Sequence, residues 1–387
     1  MKHVLWVNGW PGIGGAERAQ LALFRELAKR HRVSAVLSDK VTPALEESTR
    51  ALGISCTRAP LTQLRQTLEP VTLARFASRW ARSNKIVYDI VRRERVDLVH
   101  VTHLYDIPFC TLGCAASRVS LFWWVEDPDR YDAVNRFITN ASRVDAYAGT
   151  SNAILEHLAQ NDIRAPLETL VPNPFDETVF FPSDDSAARA RAGLPVRVGF
   201  AGLFIDRKGV LELCRAFIEL TRRVPDARLE LWLAGGGGGA YRAAMEDALR
   251  RGSVWERVRI VEGLKTPAEM LTFYRDIDVF VMLTKGEGLS IAMLESMACG
   301  LPAAILSPWG DDVILHGTTG IVLPSDEPIA VARALLPLVT DAALRLQMGR
   351  RAAEHLRQNF SSVIVAERMA AFYEKIWTRH ANGRGAS

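Results

Sequence analysis

Short apolar runs alternate with helix-period segments along almost the whole chain, and the alternation runs twice. In the first half HVLWVNGW is followed by AERAQLALFRELAKRH, then by RVSAVLSD, VDLVHVTH, SLFWWVED and VDAYAGTS. Continuous apolar strands separated by helices belong to a parallel sheet covered on both faces. Near residue 172 the pattern breaks into VPNPFDETVFFPSDDS, whose three prolines and polar cluster read as a linker. It then restarts with VRVGFAGLF, GVLELCRAFIELTRRV, ARLELWLA, VRIVEG, IDVFVMLT, SIAMLESMACG and PAAILS. At 387 residues the chain also exceeds what a single core usually covers. The expected fold class is α/β, with two doubly wound Rossmann-like domains facing across a cleft. Expected boundaries are 1–172, a linker over 173–190, 191–360, and a last helix and tail over 361–387 that carries Val363, Ile364, Met369, Phe372, Tyr373 and Ile376 as an apolar set.

Composition excludes several classes. A net charge of +4, without interleaved arginines and aromatics, leaves no electrostatic footprint for nucleic acid, and no nucleic-acid partner is expected. The five cysteines are odd in number and lie in apolar surroundings, as reduced thiols of a cytoplasmic protein do. The apolar run that opens the chain is too short for a signal peptide, and the uncharged stretches are broken by Gly and Pro before they reach a membrane span. One segment qualifies this. Between Arg58 and Arg95 nine Lys/Arg face three Asp/Glu, with Phe76 and Trp80 one turn apart. Such a stretch suits either peripheral contact with the inner face of an anionic membrane or a solvated helix with an aromatic core face.

The chemistry concentrates in KGEGLSIAMLESMACGLPAA, residues 285–304. The strand IDVFVMLT ends near Thr284, and Ser290 is placed to cap the next helix. In open α/β sheets ligands sit beyond the carboxyl ends of strands, so the amides of Gly288, Leu289 and Ser290 form an expected anion site at a helix N-terminus. Glu287 and Glu295 flank it, and a carboxylate accepts paired hydroxyl hydrogen bonds. A nucleotide sugar has a phosphate between two sugars, so Glu295 suits the ribose and Glu287 the transferable sugar. A good helix residue and a solvated loop charge would leave the same spacing.

Two further turns add to this. In GLFIDRKGVLELC, Gly202 follows a strand while Arg207 and Lys208 precede a helix, where fixed cations can meet a diphosphate and stabilise the charge of a leaving phosphate. In WPGIGGAER, Gly12, Gly14 and Gly15 form a loop that two enzyme classes use. A dinucleotide fingerprint finds Gly12, Gly14 and an acid at Asp39, but Glu17 stands where its third glycine belongs, and that bulk should hold the helix off the strand. An NAD-dependent oxidoreductase therefore remains only as an alternative.

Taken together, the chain resembles the retaining glycosyltransferases of the GT-B fold, family GT4. The resemblance rests on GGAER at 14–18, VPNPFDETVF at 171–180, GLFIDRKG, EGLSIAMLE at 287–295 as an E-x7-E motif, ACGLPAAI, HGTTGIVLP and the closing FSS…FYEKIW. It implies a metal-independent hexosyltransferase that takes a UDP-sugar or GDP-sugar and needs no cofactor. Lys208 would hold the diphosphate, Glu287 the donor sugar and Glu295 the ribose, with Gly14 and Gly15 lining the cleft. The acceptor would be a glycan, a glycolipid or a small molecule, and the final helix would return to the first domain. Two departures stand out. Leu203 replaces the family's arginine, a charge Arg207 is placed to supply, and the histidine expected near WWVEDPD is absent, leaving His103 or Glu126 for its role. The departures keep open a catalytically silent sugar-nucleotide-binding protein. The triplets Asp127-Pro-Asp129 and Asp276-Ile-Asp278 match the metal-binding pattern of a different transferase class. Capping and turn chemistry accounts for the second.

Overall fold

A computed structural model describes residues 1–61, 69–128, 144–184, 188–190, 192–264 and 266–384. The chain divides into two compact units, one of residues 1–174 with 362–387 and the other of 175–361.

Unit 1 is built on a seven-stranded parallel sheet. Its strands are β1 (His3–Asn8), β2 (Arg32–Ser38), β3 (Ser55–Ala59), β4 (Leu98–Val101), β5 (Ser120–Val125), β6 (Ala146–Gly149) and β7 (Leu167–Leu170), in the order β3-β2-β1-β4-β5-β6-β7. All six residues of β1 are buried because its side chains serve two cores in turn. Leu5 and Val7 join Val99, Val101 and Trp123 on one face, while Val4 and Trp6 join Leu98, Phe122 and Trp124 on the other. This two-residue period, apolar on both sides, is what a doubly covered strand requires. The connecting helices are α1 (Gly15–Leu27), α2 (Pro43–Ala51), α3 (Pro70–Glu94), α4 (Pro108–Ser117) and α5 (Asn152–Gln160).

Helix α1 starts with a capping box, in which the Glu17 carboxylate accepts the Gly14 amide at 2.8 Å. Glu17 was expected to hold this helix off the strand; instead it turns back and satisfies the helix end. Helix α3 presents Phe76 and Trp80 to the unit-1 core, Phe76 meeting Phe109 edge-on at 5.5 Å. The aromatic stripe is thus occupied within the protein, and its exposed flank carries Arg75, Arg82, Lys85, Arg92 and Arg93 instead. No described helix is long and apolar enough to cross a membrane.

Unit 2 carries a six-stranded parallel sheet of β8 (Val196–Ala201), β9 (Leu229–Ala234), β10 (Val258–Val261), β11 (Val279–Met282), β12 (Ala303–Leu306) and β13 (Gly320–Leu323), ordered β10-β9-β8-β11-β12-β13. Helices α6 (Val210–Arg223), α7 (Gly239–Arg251), α8 (Pro267–Asp276), α9 (Ile291–Ala298), α10 (Pro328–Thr340) and α11 (Ala342–Asn359) connect these strands or follow them. The last helix, α12 (Ser362–Arg384), belongs to unit 1 and lies against α1. In each sheet the strand order reverses beside the first strand, between β1 and β4 and between β8 and β11. Connections leave in opposite directions there, so a crevice opens at the carboxyl ends of those strands.

Candidate functional site

At the unit-2 reversal two loops far apart in sequence are tied together. The turn after β8 leads through Leu203 to Gly209 and into α6, and the loop after β11 runs through Lys285 to Ser290 and into α9. The Lys285 amide donates to the Arg207 carbonyl at 2.7 Å, and the Arg207 guanidinium returns a bond to the Gly286 carbonyl. Lys208 Nζ donates to both oxygens of Glu287, at 2.5 and 2.6 Å. Gly209 makes the junction possible. It has φ +65°, and a Cβ there would come within 2.2 Å of the Leu283 carbonyl oxygen, so only glycine allows the two loops this approach.

The side chains of Lys208 and Glu287 are only 12% and 15% exposed. Each has lost most of its hydration, and each needs the other or an equivalent charge. An anion that reaches Lys208 can take over from Glu287 and release the carboxylate for hydroxyl groups. Deeper in the unit, Glu295 is buried and accepts the Tyr274 hydroxyl at 2.9 Å. Tyr274 gave no signal in the sequence, because it lies on α8, a separate helix whose register against α9 only the fold sets. Ser290 caps α9 as its position suggested, its hydroxyl accepting the Met293 amide at 3.4 Å. Gly288, Leu289 and Ser290 are buried at the start of that helix. Gly202 donates its amide to the Ala234 carbonyl at 2.9 Å, binding the β8 turn to the end of β9, while Leu203 is 60% exposed. Arg207, four residues on in the same turn, holds its guanidinium on the Gly286 carbonyl. Lys208, Arg207, Glu287, Gly288, Leu289, Ser290 and Glu295 are thus all in one unit.

His103, Glu126, Gly14 and Gly15 all belong to unit 1, at its own reversal. There Asn8 donates to Gln20 at 2.8 Å, and Gln20 donates to Glu126 Oε2 at 2.5 Å. The Gly9 amide donates to Asp106 at 2.7 Å, and Glu17 Oε1 lies 3.5 Å from His103 Nε2, an ion-pair distance rather than a hydrogen bond. Burial opposes charge on His103, but Glu17, Asp106 and Glu126 outweigh it and raise its pKa to about 9. Burial also pushes Asp106 up to about 6 and Glu126 up to about 8. The site therefore favours a protonated imidazole beside a protonated carboxyl at neutral pH. Gln20, Glu17 and Asp106 carry no site signal in the sequence, since a polar residue on a helix reads as exposed until the fold buries it.

The remaining candidates settle into structural roles. Asp39 pairs with Arg79 at 2.8 Å rather than standing free at the end of β2. Asp278 is buried and accepts from Arg189 and from the Arg197 amide, while Asp276 meets the Arg197 guanidinium, so the second triplet is consumed by arginines. Of the first triplet, Asp129 lies outside the described residues. Among the described residues no group of three or more His, Cys, Asp or Glu is placed to hold a metal ion.

Comparisons with known proteins match both halves of the chain. The family model Glycosyltransferase Family 4 matches residues 13–199 and Glycosyl transferases group 1 matches residues 195–341. A D-inositol 3-phosphate glycosyltransferase of Corynebacterium glutamicum is 25% identical, covering 93% of this chain and 91% of its own. A GDP-mannose-dependent alpha-(1-6)-phosphatidylinositol monomannoside mannosyltransferase of Mycolicibacterium smegmatis is 34% identical over 65% of this chain and 63% of its own. Among solved structures, Anabaena Alr3699/HepE in complex with UDP and glucose superposes with a TM-score of 0.79 at 17% identity, covering 97% of this chain and all of that one.

Proposed function

Because the chain belongs to the family 4 glycosyltransferases and has their GT-B fold, we propose that it moves a hexosyl group from a nucleoside-diphosphate donor to an acceptor hydroxyl, with retention of anomeric configuration and without a metal. The observation that carries this reading is the junction of Lys208 and Glu287 at the reversal beside the N-terminus of α9. There one cation and the helix amides face the diphosphate, Glu287 is released to the donor sugar, and Glu295 with Tyr274 receives the ribose. Arg207 supplies the charge that Leu203 lacks. As charge grows on the departing phosphate, Lys208 and the α9 amides stabilise the transition state more than the ground state.

Unit 1 takes the acceptor, through the reversal that holds His103 and Glu126. A dinucleotide at that loop is disfavoured, because Glu17 already caps α1 and puts a carboxylate where a pyrophosphate would need to sit. UDP-sugars and GDP-sugars are the donors to test first, since the relatives and structural neighbours include a protein dependent on GDP-mannose and one seen with UDP. The protein acts in the cytoplasm, and the basic flank of α3 gives it affinity for an anionic inner leaflet, which sedimentation with and without anionic liposomes measures.

The deciding experiment is calorimetric titration with UDP, GDP, ADP and NAD, followed by a screen of sugar nucleotides for release of the nucleotide and anomeric analysis of the product by NMR. Binding of a diphosphate nucleotide and turnover in the presence of a chelator support the reading. Binding of NAD alone would reverse it, and nucleotide binding without turnover of any donor would leave a silent binder.

A further inference from the structure

The unit-1 reversal encloses a cavity of about 220 Å³, room for one six-membered sugar or cyclitol ring. Trp10 and Trp123 line it together with His103, Asp106, Glu126 and Asp127, and among the described residues no Lys or Arg does. Trp10 is 46% exposed although it borders the cavity, with the His103 ring 6.1 Å from its own between centroids. Glu126 is 6% exposed, and its Oε2 is taken by Gln20. Its Oε1 has no hydrogen-bond partner among the described residues. A buried polar atom in that state carries an unmet desolvation cost, which a ligand group that hydrogen-bonds to it removes.

We propose that this cavity receives an amine-bearing acceptor, an amino sugar or aminocyclitol, whose ammonium donates to Glu126 while its ring lies against Trp10. The proposal rests on the reading that unit 1 holds the acceptor, and it separates this chain from relatives named for D-inositol 3-phosphate.

The signs of the lining charges carry the choice. A phosphorylated ring would bring a dianion beside Asp106 and Asp127 in a site of low dielectric, where repulsion is far stronger than in water. The one cation there, His103, is already matched by Glu17 at 3.5 Å and is not free to neutralise the newcomer. An ammonium reverses each of these terms. It forms a charge-assisted hydrogen bond with ionised Glu126 and gains from the Trp10 face. Glu126 is protonated in the empty cavity up to about pH 8, so capture of an ammonium near neutral pH expels its proton. His103, Glu17 and Asp127 are the other charges that act on it.

Tryptophan fluorescence reads the cavity through Trp10, and Trp10→Phe assigns the change among the chain's nine tryptophans. The full chain is titrated with D-glucosamine, D-glucose and D-glucose 6-phosphate at constant ionic strength. The expected order is glucosamine tightest, by about tenfold or more over glucose, with glucose 6-phosphate weakest. In Glu126→Gln the advantage of the amine should shrink to within about threefold. Glucose 6-phosphate binding as tightly as glucosamine, or none of the three binding, overturns the proposal. The wild-type order decides even where the variant fails to fold. UDP titration of the same sample keeps the two readings apart: loss of UDP binding strikes the transferase reading, whereas UDP binding with no preference for the amine strikes only the acceptor class.

Discussion

Lys208 neutralises Glu287 within the protein, so its charge becomes useful to a substrate only when an anion displaces the carboxylate. Lys208→Ala is expected to lower turnover by about 10² or more, as loss of one preorganised charge stabiliser does. Nucleotide release at saturating donor measures it, and unchanged turnover would remove Lys208 from its role. Glu295→Ala should weaken nucleotide binding itself, by about tenfold or more, because the ribose loses its acceptor; calorimetry with the free nucleotide isolates that effect from chemistry. In unit 1 the titrations give a pH signature. The folded pKa of Glu126 is raised from 4.5 to about 8, so ionising it costs the fold stability as pH rises through that window. His103, raised from 6.5 to about 9, stabilises below its unfolded value and loses that contribution as pH climbs through 9. Both terms point the same way, and the melting temperature of the ligand-free protein should fall between pH 7 and 9, less steeply in Glu126→Gln. At this scale Lys208, Glu287 and Glu295 stand out in the sequence as charged candidates, whereas the buried groups that meet Glu295 and Glu126 do not. Tyr274 and Gln20 meet Glu295 and Glu126 through contacts 21 and 106 residues apart, which no local spacing encodes.

Elements were legible where two independent signals agreed. Strands such as β1 and β5 show unbroken apolar runs because both faces are covered, and α9 shows its start because Ser290 precedes an apolar helix. Asp278 shows the converse. A turn residue at the mouth of a strand reads as local chemistry, yet it anchors Arg189 and the Arg197 amide from 89 and 81 residues away. The short helix entry at Gly209 is the element that lets the two loops of the proposed donor site meet. A Cβ there meets the Leu283 carbonyl oxygen at 2.2 Å and must also adopt a left-handed backbone. Gly209→Ala is therefore expected to cost about 2 kcal/mol or more and to part the 206–209 turn from the 285–290 loop. Because that separation moves Lys208, nucleotide affinity should fall with the melting temperature. A variant that melts early yet binds nucleotide as the wild type does would mean the junction is only structural.

The doubly wound character of the two sheets follows from the twice-repeated alternation, whereas the return of α12 to the first domain is implied only by the family resemblance, since an amphipathic helix states that it needs a partner without naming one. The structure places it with unit 1. Val365, Met369, Tyr373 and Ile376 are at most 2% exposed, and they share a core with Trp6 of β1, Phe24 of α1, and Phe122 and Trp124 of β5. Tyr373 also meets the buried His100 at 2.5 Å. Each such side chain contributes about 1.5–3 kcal/mol by leaving water, so together they amount to about the whole stability of a typical domain. A chain ending at Ser361 should therefore lose the folded state of unit 1, while residues 175–361 keep every strand of their own sheet. Calorimetry of the truncated chain is expected to show one surviving transition in place of the full chain's signal, and UDP titration should still find a site, because Lys208, Glu287 and Glu295 all lie in the part that remains. If unit 1 melted unchanged without α12, the helix would be an ornament on its surface. If UDP binding vanished along with the helix, donor recognition would have to draw on unit 1 as well.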